Sequence, residues 1–83
     1  MSDEEYELLD ELYFVQPYQY LKKTLNWEDE ELLATLQELH SRELIKCMIG
    51  PDEELFEGID IARQGKKYYF LATKKGLMEH NIL

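Results

Sequence analysis

The chain has 83 residues, with 18 acidic against 9 basic side chains and a formal net charge of −9. Hydrophobic residues at 45% and charged residues at 33% suit one small folded domain and exclude a disordered chain. A single cysteine, Cys47, excludes an internal disulfide and fits a reducing compartment, and no apolar run approaches the roughly 20 residues of a membrane span.

The start of the chain shows no basic-then-apolar leader, so the reading is of a cytoplasmic protein without a membrane segment. The charge is uneven. Residues 1–57 hold 16 acids and 4 bases, whereas residues 58–83 hold 2 acids and 5 bases. The acidic part is either a solvated surface or a bias against nucleic acid and toward basic protein partners.

Taken in order, residues 4–15 read as a first helix, capped by Ser2 or Asp3. Tyr6, Leu9, Leu12 and Tyr13 line its inner face, with Leu8 and Val15 at the edge. Pro17 disfavours helical angles at Gln16 and suits the first position of a second helix over residues 17–25. Asn26 tolerates the left-handed backbone of a turn, and Trp27 is a core plug beside it.

A third helix over residues 28–42 follows from Leu32, Leu36 and Leu39, with Glu28, Asp29, Glu30 and Glu31 at its positive end. His40 reads as a surface histidine near its end. Residues 44–49 read as a strand with Ile45, Cys47 and Ile49 on one face and Lys46 and Met48 on the other. On that face Cys47 is a small core residue.

Gly50-Pro51-Asp52 signals a turn, residues 59–62 are β-prone, and Gln64-Gly65 marks a second turn flanked by Arg63, Lys66 and Lys67. Residues 68–73 form an aromatic-rich strand. Thr73 caps a last short helix whose Leu77 and Met78 fold back on the first. Ile82 and Leu83 are an apolar end that either packs on its own domain or forms a homodimer contact.

The spacing of Leu21, Leu25, Trp27, Leu32, Leu36, Leu39, Leu44 and Ile45 resembles the winged helix-turn-helix superfamily. The segment YYFLATKKGL is similar to the last wing strand and capped helix of MarR- and PadR-like regulators. The resemblance covers nearly the whole chain. It implies an α+β fold: a three-helix core, a small antiparallel β wing and a short C-terminal helix, in a single domain over residues 1–83. Two departures stand out. Glu43 occupies the place of a helix-ending glycine, which points to a different closing turn. The outward face of helix three carries Asp29, Glu30, Leu33, Ala34 and Gln37, with no lysine or arginine between Thr24 and Ser41. The span 50–67 is long for a wing and holds either a third strand or an ordered loop.

Catalytic chemistry has no motif here. His40, His80 and Cys47 lack zinc spacing, the acids lack a calcium-loop pattern, and the four glycines form no phosphate loop. No serine, threonine or cysteine has a histidine placed by motif. The expectation is a non-enzyme without cofactor or metal.

Three roles compete. One is a protein-interaction module, regulatory or adaptor-like, binding through Asp29, Glu30, Leu33, Ala34 and Gln37; Leu33 belongs either to that face or to the core. Another is a DNA-binding regulator whose wing presents Arg63, Lys66 and Lys67 at a hairpin tip, followed by Lys74 and Lys75. Carboxylates on helix three disfavour DNA there, since cations supply most non-specific affinity. A third is a small-ligand pocket among Tyr6, Tyr13, Tyr18 and Tyr20.

Overall fold

Five helices and four short strands alternate along residues 1–82, which the computed structural model describes. Helix α1 (Asp3–Asp10) opens on a capping box. Ser2 Oγ accepts from the Glu5 N–H, and the Glu5 carboxylate accepts from the Ser2 N–H. The helix stops at Asp10, well short of the expected residue 15. Its last turn holds acids and no base, against the helix dipole, and it tightens through bonds from Glu11 N–H to Leu8 O and Leu12 N–H to Leu9 O. Leu8 and Leu9 are its fully buried residues, while Tyr6 and Tyr13 are over a third exposed, so its inner face is not the expected one.

The chain then extends through β1 (Gln16–Pro17), paired with β4. Pro17 lies in that strand with extended angles, so α2 (Tyr18–Leu25) begins one residue later than expected. Asn26 closes α2 in the left-handed region, at φ 57°. Trp27 packs half-buried on the core, as its size suggests. Helix α3 (Asp29–Ser41) buries Leu32, Leu36 and Leu39.

The exit from α3 corrects another expectation. Glu43 adopts φ 63°, the angle a glycine would take. Leu44 N–H donates to Leu39 O and Glu43 N–H to His40 O, both at 3.0 Å. This is the Schellman turn that usually ends on glycine, formed here by a glutamate. The carbonyls it leaves free are received by the start of α5 (Lys74–Ile82). Lys75 Nζ donates to Arg42 O, Thr73 Oγ1 to Glu43 O, and Thr73 N–H to Leu44 O. Thr73 also caps α5 as expected, accepting from Gly76 N–H at 3.0 Å.

The sheet is antiparallel, in the order β1-β4-β2-β3. β2 (Ile45–Gly50) pairs with β4 (Tyr69–Ala72) at Ile45–Ala72 and Cys47–Phe70, and these four side chains face the helices. Ile49, expected on the same buried face, is 53% exposed: pairing with β4 ends at Met48, and the register with β3 shifts between Met48 and Gly50. β3 (Glu53–Glu54) adds a short outer strand across an irregular register.

The β-prone residues 59–62 do not form a strand. Asp60 caps the short helix α4 (Ile61–Gln64) by accepting from Arg63 N–H, and a 3-10 turn, Gly65–Lys67, follows. Ile61 is buried and Ile59 half-buried against the core, so the alternation of apolar residues marks inward anchors of an ordered segment. Arg63, Lys66 and Lys67 therefore do not stand at a hairpin tip.

Helix α5 packs on α1. Leu77 joins the core, but Met78 is 59% exposed. His80 takes the place expected for Met78. Its ring stacks on Tyr6 at 4.1 Å, Nδ1 lies 2.7 Å from Tyr13 Oη, and Nε2 lies 3.6 Å from an Asp10 carboxylate oxygen. Leu83, named above with Ile82 as an apolar end, lies outside the described residues. Among the described residues no helix is long and apolar enough to cross a membrane.

Two substitutions test the Schellman turn. Glu43→Gly relieves the left-handed strain and should raise stability by about 1 kcal/mol, read as a higher urea midpoint. Gly76→Ala should cost about 3 kcal/mol or more, because a Cβ there would lie 2.0 Å from the Leu44 carbonyl oxygen, which is backbone and cannot yield.

Candidate functional site

The residues read from the sequence as a single face of α3 separate into three settings. Asp29 is the hub of a charge cluster. Its Oδ1 accepts from the Tyr18 hydroxyl at 2.6 Å and lies 3.6 Å from Lys22 Nζ, while Oδ2 lies 3.3 Å from Lys66 Nζ. The Tyr18 bond first, against a smaller desolvation effect, and then Lys66 and Lys22 hold the Asp29 carboxyl below its ordinary range. Burial, then the Asp29 bond and charge, push the Tyr18 hydroxyl in the opposite direction, above the ordinary tyrosine value. The cluster ties α2, the start of α3 and the 3-10 turn together.

Leu33 is half-buried and packs on the core beneath α4. A Cβ built on Gly65 would meet its Cδ2 at 2.8 Å and Ile61 Cγ2 at 3.1 Å, so a side chain there would have to push the Leu33 tip aside. Leu33 thus belongs to the inner side of the α3–α4 contact. Glu30, Ala34 and Gln37 remain exposed on the outward side.

The basic residues also divide. Lys66 is held by Asp29 and contacts α2 through the Gln19 amide, which donates to its carbonyl. Lys67 is exposed, and the Arg63 side chain is 84% exposed, with a distant Asp60 partner at 4.0 Å. Lys74 and Lys75 stand apart from these three, at the start of α5 on the far side of the Schellman turn.

The four tyrosines do not enclose one pocket. Tyr6 and Tyr13 gather on His80, Tyr18 turns to Asp29, and the Tyr20 hydroxyl donates to Glu11 at 3.1 Å.

A groove of about 500 Å³ opens elsewhere, in a place the sequence reading did not single out. One wall is the end of α3 at His40 and Glu43. Its floor is Ile45 and Cys47 of β2 with Leu55 and Ile59, and its far rim is Thr73, Lys74 and Lys75. Phe56 stands at the lip, 79% exposed. The only hint in the sequence was that aromatic residue set among Glu53, Glu54 and Glu57, which no core needs to hold. Lys46 pairs with Glu54 across the floor at 3.5 Å. Burial, and then the Glu54 charge, push the Cys47 thiol up to about 12, so it stays protonated and serves as floor rather than nucleophile. Among the described residues no group of three or more histidine, cysteine or acidic side chains could hold a metal ion. No family model, curated protein or solved structure matches this chain.

Leu33→Asp should destabilise the fold by about 2 kcal/mol or more, since it places a charge under α4. Glu30→Lys on the outward side should change stability by less than about 0.5 kcal/mol. Denaturant midpoints of the two variants separate inner from outward residues. Asp29 also predicts a pH effect. Its folded carboxyl titrates below the unfolded one, so its contribution is present above the ordinary carboxyl range and is lost as pH falls through the lower folded value. The wild type should therefore lose more stability than Asp29→Asn between about pH 6 and about pH 2, the interval that brackets carboxyl titration, in matched urea titrations.

Proposed function

We propose that this chain is a winged helix-turn-helix domain that works without catalysis, as a regulatory or adaptor module acting through protein contacts. The order of α1, β1, α2, α3, β2, β4 and α5, with β1 pairing on β4, supports the scaffold. One observation carries the role. The outward side of α3 presents Glu30, Ala34 and Gln37, and α3 holds no lysine or arginine along its length. A phosphate backbone meeting that side would find carboxylates, whereas basic and small apolar groups of a protein would be accommodated. Folding also brings α4 against the flank of α3, so Leu33 and the Gly65 turn fill space a groove-reading helix keeps open.

A second reading has its own observation. The 3-10 turn packs on α2, and Asp29 draws Lys22 and Lys66 to one corner, with Lys67 next to Lys66 in the turn. That corner is the basis for a DNA-binding regulator led by its basic wing. Its charge is partly spent inside the molecule, because Asp29 engages both Lys22 and Lys66.

Titration with mixed-sequence duplex DNA at low salt decides between them. The expected result is no saturable binding. Binding that weakens steeply with salt, and is lost in the Arg63→Ala, Lys66→Ala, Lys67→Ala triple variant, would replace protein contact with wing-led DNA binding.

A further inference from the structure

We propose that the groove beside β2 receives an extended peptide segment that alternates apolar and acidic side chains. This rests on the reading of the domain as a protein-contact module, and it moves the contact from the outward side of α3 to the far side of the Schellman turn.

Three features point to that occupant. The first is an open strand edge. β3 pairs with β2 only at Met48 and Gly50, and Leu55 N–H donates to Cys47 O at 2.9 Å. Backbone groups of alternate residues point to the same side of a strand. The N–H and C=O of Ile45 therefore face the groove on the side where no strand lies, as peptide addition to a sheet edge requires.

The second is apolar surface the fold leaves uncovered. Leu55 and Ile59 are half-buried in the groove floor, and Phe56 at the lip is 79% exposed. An apolar side chain seated between them would be removed from water on several sides.

The third is charge. The groove holds three lysines against two glutamates, in a chain whose net charge is −9. Glu54 is already engaged by Lys46. Lys74 and Lys75 are exposed on the rim, and among the described residues the Lys75 ammonium donates to the Arg42 carbonyl alone. Carboxylates of a bound strand would meet these lysines, while a basic segment would be repelled there. The acidic surface elsewhere on the chain discourages the same peptide from settling at other sites.

The test is an amide-resolved NMR titration of the full chain, labelled with nitrogen-15, against an alternating Leu-Glu octapeptide. Shifts should concentrate at Ile45, Lys46, Phe56 and Thr73 to Lys75. Phe56→Ala and Lys74→Glu should each weaken binding about tenfold or more. Phe56 is exposed, and Lys74 is exposed at the start of α5, where an acid suits the helix dipole, so both variants should keep the wild-type amide pattern away from the groove. Absence of shifts, shifts confined to Glu30, Ala34 and Gln37, or equal binding of an alternating Leu-Lys octapeptide would each overturn the proposal. Duplex DNA that reproduced the groove shifts would overturn it in favour of a phosphate-backbone ligand, and would also remove the protein-contact reading. A protein that binds neither DNA nor peptide loses only the groove assignment.

Discussion

The turn at Arg42, Glu43 and Leu44 holds α3, β2 and the start of α5 together. It ends α3, starts β2 and receives the beginning of α5. A helix end leaves carbonyls without partners, and burying them unpaired is costly. Here the three carbonyls of the turn take bonds from Lys75, Thr73 Oγ1 and the Thr73 N–H. Thr73 cannot reach them unless β4 delivers it beside β2, and β4 arrives only in the register that pairs Ile45 with Ala72. Gly76 then lets α5 come close enough to close the joint. A glutamate in the left-handed region is tolerated because hydrogen bonds on both sides of it outweigh about 1 kcal/mol of backbone strain. The same joint sets the width of the groove, since Glu43 forms one wall and Thr73 to Lys75 the other.

A second joint, around Asp29, organises the opposite end of α3. One carboxylate of α3 serves a tyrosine hydroxyl and an ammonium group from α2 and a second ammonium from the 3-10 turn. It fixes the 3-10 turn against α2, and with it Gly65 and α4 against Leu33. The two ends of α3 are thus both occupied by internal contacts. What the helix offers to solvent is a narrow outward strip of acidic and small polar residues, without the cationic groups on which phosphate binding depends. Two exposed lysines, Lys74 and Lys75, and the exposed Phe56 lie instead at the Schellman end of the sheet.

Much of the helical core was legible because it is written at a single spacing. Leu32, Leu36 and Leu39 could bury only on one side of a helix, and they do. Asn26 and Thr73 carried their turn and cap in their own side-chain chemistry. The β4 strand was legible from its aromatic and branched residues. The first helix was less so: Tyr6 and Tyr13 share a spacing with Leu9, but Tyr6 stacks on the His80 ring and the Tyr13 hydroxyl bonds to it, both at the edge of the core. The segment from Gly50 to Lys67 was hardest. Ile59 and Ile61 alternate as in a strand, yet the Asp60 cap and the close approach of Gly65 to Leu33 make a helix there.

The sequence by itself determined that residues 1–82 would fold around leucine-rich helices and a small antiparallel sheet, because burial of apolar side chains at periods of 3.6 and 2 is a local property of the order of residues. It also determined that α3 would be poor in cations. Tertiary structure alone decided that Leu33 faces inward, that Arg63, Lys66 and Lys67 leave the hairpin tip, and that Lys74 and Lys75 share a groove with Ile45 and Phe56. Each of these depends on which distant backbone comes within a few ångströms of which side chain. Strand pairing and one close-packed glycine settle that, and neither leaves a periodic mark in the chain.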